Sequence, residues 1–146
     1  MYLKGDATKP QATGNRIIAH ISNNKGGWGS GFVLALSKRW SAPECTYLQA
    51  KIYNLGDIQV VQVEPQIHVI NMIAQNGFRS TAKPVAVDYK ALEICLTEVA
   101  KVAVKLQASV HMPRIGAGLG GGDWNVIESI IEKTLQGIDV FVYDLL

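Results

Sequence analysis

The strongest constraint on what this chain can fold into is an alternation. Six short runs, residues 1–4, 16–21, 58–63, 68–73, 109–113 and 139–145, are apolar along most of their length, and several are rich in Val and Ile. A strand with one wet face alternates apolar and polar residues, whereas a nearly continuous apolar strand is one covered on both faces. Helical patterns lie between these runs, at 31–40, 43–52, 87–107 and 123–135. The third is the clearest: Leu92, Leu96, Val99, Ala103 and Leu106 recur at spacings of four, three, four and three, drawing one apolar stripe. Glu93, Glu98, Lys101 and Lys105 form its polar side.

Strands alternating with helices predict a three-layer α/β/α sandwich around a mixed, largely parallel six-stranded sheet. The alternation lapses over 53–68, where Pro65 marks a turn and the third and fourth runs read as a hairpin. No repeat, linker or low-complexity tract interrupts the 146 residues, so 1–146 reads as a single domain, large enough for a core without disulfides or metals.

Composition narrows the partners. With 48% hydrophobic and 18% charged residues and a net charge of +2, the chain is neither disordered nor basic enough for a bulk nucleic-acid binder. Cys45 and Cys95 stand apart without metal-ligand spacing and read as reduced thiols, so no metal or other cofactor is expected. The opening MYLKGDATKP is too polar for a signal peptide, and no apolar stretch approaches the roughly 18 residues of a membrane span. A cytoplasmic monomer is the expectation.

Two glycine-rich loops occupy equivalent places, each after a buried strand and before a helix: NNKGGWGSGF after RIIAHI, and RIGAGLGGGDW after SVHMP. In open α/β sheets ligands bind in the crevice at the carboxyl ends of the strands. Loops without side-chain bulk that open onto helix N-termini offer backbone N–H groups to a diphosphate. Neither loop ends in the Lys-Ser/Thr of a Walker A sequence or fits G-x-G-x-x-G with its acidic partner, which excludes the standard nucleotidase and dehydrogenase sites. Ordinary turn chemistry is the alternative for either loop alone.

KGD at 4–6, IIAHISNN leading into GGWGSG, VINMIAQ at 69–75 and MPRIGAGLGGGDW at 112–124 together resemble a macrodomain. The resemblance spans the whole chain and is strongest to the branch with the terminal ADP-ribose protein glycohydrolase and the fungal ADP-ribose 1''-phosphate phosphatase. It implies ADP-ribose, free or attached to another molecule, as the ligand. Asp6, with Ala7 beside it, would accept the adenine amino group. The diphosphate and distal ribose would lie against Gly27, Trp28, Gly29, Ser30 and Gly31 on one side. Arg114, Ile115, Gly116, Ala117, Gly118, Leu119 and Gly120 would line the other, with Trp28 walling the ribose.

The resemblance also shows what is missing. The glycohydrolases use a lysine where Gln75 stands and an aspartate where Gly120 stands, and an amide has no amine lone pair to attack an anomeric carbon. The remaining candidates for chemistry are His20, Asn24 and Asp123, with Asn23 and Gln75 as polar contacts to the ribose. Each has a structural alternative: a core histidine, turn asparagines, a helix cap at Asp123. Arg79 and Lys83 either face an anion or are solvated. Two functions follow, hydrolysis of a substituent on the distal ribose (a phosphate, an acyl group or a protein ester) or non-catalytic reading of ADP-ribose. A polyadenine-binding role is disfavoured by the low net charge.

Overall fold

The computed structural model describes residues 1–118 and 120–145. Its elements are β1 (Tyr2–Lys4), β2 (Arg16–Asn23), α1 (Phe32–Arg39), α2 (Ala42–Gln49), β3 (Ile58–Glu64), β4 (Ile67–Gln75), α3 (Tyr89–Leu106), β5 (Ser109–Met112), α4 (Trp124–Thr134) and β6 (Val140–Asp144). The strands form one sheet in the order β1-β6-β5-β2-β4-β3. Every neighbouring pair is parallel except β3 with β4, the hairpin expected around Pro65. The sandwich and its largely parallel six-stranded sheet are as the alternation predicts.

Burial explains the apolar runs. On β2, Ile17 and Ala19 pack under α3 and α4 with Leu92, Leu96, Val99 and Ile127, while Ile18 packs on the opposite face with Leu36 and Tyr47 of α1 and α2. The period of two sends successive side chains into two different cores, so the strand needs no polar face. Helix α3 starts at Tyr89 rather than at 87 because the Asp88 side chain accepts from Ala91 N and caps it. Helix α2 stops at Gln49, short of 52, because Ala50 turns to an extended backbone. No described helix is long and apolar enough to cross a membrane.

Parallel pairing is what builds the site. It sets the carboxyl ends of β4, β2 and β5 side by side, with β2 in the middle. The loops leaving these three strands therefore meet above β2, where the chain diverges to helices on opposite faces and a crevice opens.

Candidate functional site in the crevice above β2

The first glycine-rich loop is held from within by Asn23, the last residue of β2. Its Oδ1 accepts from Lys25 N (2.8 Å), Gly27 N (3.2 Å) and the Tyr47 hydroxyl (3.0 Å), and its Nδ2 donates to Gly27 O (3.0 Å). Asn23 thus shapes a segment that has no regular secondary structure to do so. Trp28 is the other anchor. It is 9% exposed, donates from Nε1 to Ser37 Oγ (2.8 Å), and packs its ring on Tyr47 with centroids 5.3 Å apart. A tryptophan among glycines therefore pins the loop to α1 and α2 while still lining the crevice.

The second loop is folded onto itself. Gly122 N donates to Gly116 O (2.8 Å), Gly121 N to Gly118 O (3.1 Å), and Gly120 O accepts from Ala86 N (2.8 Å). A Cβ on Gly120 would stand 2.7 Å from Gly116 O, and one on Gly121 only 2.2 Å from Pro84 O. These glycines are demanded by the fold itself.

Gly29 and Gly118 are different. Both line the crevice, neither has a left-handed backbone, and a Cβ on either would meet nothing within 4 Å. At these two positions neither backbone strain nor protein packing demands glycine, and the backbone lies open to the crevice.

The crevice has a volume of about 430 Å³. Among its described lining residues Arg79 and Arg114 carry the only formal charges, and no carboxylate faces it. Arg114 is tied to Asp144 through Nε (2.7 Å) and Nη2 (3.1 Å) and lies over the rings of Tyr2 (5.0 Å) and Trp124 (5.2 Å). The bonded Asp144 raises the Arg114 pKa, and Arg114 in turn lowers that of Asp144. Arg79 makes no ion pair among the described residues.

His20 forms part of the crevice floor and is 2% exposed. Its Nε2 lies 2.5 Å from Asn71 Oδ1. The tautomer follows from Asn71, whose Nδ2 donates to Pro43 O (3.1 Å) and Gln59 Oε1 (3.0 Å). A proline carbonyl can only accept, so the Asn71 amide nitrogen faces it and Oδ1 must accept from His20 Nε2–H. Burial, only partly offset by that bond, pushes the imidazole down to about 4.

A macrodomain protein of Streptomyces coelicolor superposes on this structure with a TM-score of 0.85 and 46% identity, over 98% of this chain and 97% of that one. The chain belongs to the macrodomain family. No protein-family model matches it. A chromodomain-helicase-DNA-binding protein 1-like of Mus musculus is 32% identical over 97% of this macrodomain, which spans only 17% of that relative's length. An ADP-ribose 1''-phosphate phosphatase of Candida albicans is 26% identical, over 90% of this chain and 91% of its own.

The macrodomain crevice gathers most of the residues singled out in the sequence: His20, Asn23, Gly27 to Gly31, Gln75, Arg114 to Gly116, Gly118 and Gly120. Leu119 lies outside the described residues. Ala117, Asn24 and Asp123 are not among the lining residues. Asn24 instead joins the loops after β2 and β4, donating to Asn76 Oδ1 (3.1 Å) and accepting from Gly77 N (2.9 Å). Asp123 is exposed and caps α4, accepting from Asn125 N (2.9 Å), so its carboxylate serves the structural alternative. Asp6 and Ala7 follow β1, outside the lining; Asp6 Oδ1 accepts from Thr8 N and Oγ1, both at 2.8 Å.

One chemical expectation needs correction. A histidine with an ordinary pKa near 6.5 could exchange protons at neutral pH, but buried His20 is neutral there and its Nε2–H is already committed to Asn71. It is no general acid at pH 7 and a weak base. Sequence reasoning also passed over Ser22, Phe32 and Phe78, all lining residues. Phe78 is 61% exposed, and its ring occupies the space a Cβ on Gly27 would enter, at 2.7 Å. A lone aromatic in the polar stretch NGFRSTAKP was the available signal.

Proposed function

We propose that this macrodomain binds ADP-ribose in the crevice above β2 and hydrolyses a substituent on the distal ribose of an ADP-ribose derivative. The observation that carries the binding half is the pair Gly29 and Gly118, on opposite loops, where the protein leaves open space beside bare backbone that a ligand can approach closely. A crevice of about 430 Å³ lies in the range of small-molecule sites, roughly 300–1,000 Å³. Backbone N–H groups and Arg79, which makes no ion pair among the described residues, suit a diphosphate, whereas Arg114 is already paired with Asp144. The Candida albicans phosphatase, matched along most of its length, supports the hydrolytic half.

The lysine-adduct route does not apply to this chain, because Gln75 and Gly120 take the positions of the nucleophile and its partner. Gln75 donates one N–H to Gly77 O (3.1 Å), leaving its carbonyl oxygen and second N–H for a ribose hydroxyl or an attacking water. Asn23 keeps one N–H beside it. Catalysis on this reading comes from holding the water and the ribose in line and from the arginine and N–H field on the departing anion. Asp6 would accept the adenine amino group at the far end, with the oxygen that Thr8 leaves free.

Non-catalytic reading of ADP-ribose is a second reading with its own observation: no described lining residue is a carboxylate or a histidine that titrates near neutrality. Calorimetry with ADP-ribose, followed by chromatography after incubation with ADP-ribose 1''-phosphate, O-acetyl-ADP-ribose and an ADP-ribosylated peptide, separates the two. Binding with release of free ADP-ribose supports the hydrolase. Binding with every substrate intact supports the reader, and no binding removes both.

A further inference from the structure

Two side-chain atoms at the crevice floor are buried without any hydrogen-bond partner, His20 Nδ1 and Ser22 Oγ. The residues are 2% and 4% exposed, both line the crevice, and their i, i+2 spacing puts them on one face of β2. A native structure rarely leaves such atoms unsatisfied without a reason. The third unpartnered atom among the described residues, His68 Nδ1, lies near the start of β4, outside the crevice lining.

The two atoms differ in what they can accept as partner. With Nε2–H committed to Asn71, His20 Nδ1 presents only a lone pair. Ser22 Oγ can both donate and accept. We propose that His20 and Ser22 form a hydroxyl-reading subsite, in which one sugar hydroxyl of the bound ligand donates to His20 Nδ1 and accepts from Ser22 Oγ.

An ionised phosphoryl oxygen has no proton to give Nδ1 and would face its lone pair, and an esterified hydroxyl has none either. The floor therefore takes a free hydroxyl, and the substrate class is an ADP-ribose derivative whose leaving group sits elsewhere on the ribose. Access is through aromatic side chains. Trp28 stands edge-on to the His20 ring at 5.4 Å and Phe32 tilts over it at 5.8 Å. Trp28 is held by Ser37 and Tyr47, so half-buried Phe32 is the cover that yields, a side-chain change of the kind common on binding.

This inference rests on the ADP-ribose reading above and is tested beside it. Wild type, Ser22→Ala and His20→Phe are titrated with ADP-ribose and with ADP, which lacks the distal ribose, and their thermal unfolding is recorded. The expected result is a loss of at least about tenfold in ADP-ribose affinity for the variants, the selectivity of a site built around a hydroxyl. ADP affinity should stay within about twofold, since its contacts are separate. Undiminished ADP-ribose affinity in folded Ser22→Ala, or an equal loss for both ligands, overturns the subsite while leaving the function standing. Failure of wild type to bind ADP-ribose overturns both. Ser22→Ala removes one hydroxyl and decides the matter if His20→Phe, which strands Asn71 Oδ1, does not fold.

Discussion

Gly118→Ala sets stability and binding against each other. The new Cβ meets no protein atom within 4 Å and the backbone is not left-handed, so the folded state gains no clash. Removing glycine also narrows the unfolded ensemble, which stabilises by about 0.4–1 kcal/mol, or roughly 1–4 °C in Tm for a domain this size. If a ligand lies against that backbone, the same methyl overpacks the complex at a cost of about 1–3 kcal/mol, roughly a 5- to 150-fold loss of affinity. Gly29→Ala should behave alike. Gly121→Ala is the contrast: its Cβ would stand 2.2 Å from Pro84 O at φ +70, so it should unfold several degrees earlier. Differential scanning calorimetry and isothermal titration on the three variants read both quantities. An ADP-ribose affinity unchanged in both Gly118→Ala and Gly29→Ala would mean that the ligand does not approach these loops, and the argument from glycine fails.

Acid should destabilise the fold through two buried histidines. Burial holds His20 and His111 at about 4 against an ordinary 6.5, so the unfolded chain takes up their protons first. Their contribution is therefore whole above about pH 6.5 and falls as the pH drops towards 4, by about 2 kcal/mol each at pH 5. Urea midpoints that do not move between pH 7.5 and 5 would contradict it. Asp123→Ala should cost about 0.5–2 kcal/mol as a lost helix cap and leave turnover unchanged; a large fall in kcat at constant Tm would instead make it catalytic. Trp28→Ala should lose about 3–5 kcal/mol, as a truncated core aromatic does, and weaken ADP-ribose with it, whereas undisturbed urea unfolding would show that Trp28 does not anchor its loop.

Elements that announce themselves through period and length were legible in the sequence. The stripe from Leu92 to Leu106 defines α3 because burial of one helical face repeats locally, and Pro65 breaks the hairpin within a few residues. The strand order was not, because nothing in β2 states that β4 and β5 flank it. That choice is made by helices packing on both faces and by pairings such as Ile18 with Val69 and with His111. The site divides in the same way. Both glycine loops could be read, since each follows an apolar run, but which glycines serve the fold and which the crevice depends on remote atoms such as Pro84 O and Val87 Cγ1. The state of His20 depends on Asn71, one polar residue inside the apolar strand VINMIA, and only the register of β2 with β4 brings them together. Phe78 joins the crevice through the bonds of Asn24 to Asn76 and Gly77, about 50 positions away in the chain.

The most direct test of the proposed function is a calorimetric titration of the protein with ADP-ribose, with the same preparation then incubated with ADP-ribose 1''-phosphate, O-acetyl-ADP-ribose and an ADP-ribosylated peptide and resolved by chromatography. One bound ADP-ribose per chain and the release of ADP-ribose from one of the three substrates is the predicted result. Absence of binding at millimolar ligand would contradict the assignment of the crevice, and tight binding with all three substrates intact would contradict the hydrolysis.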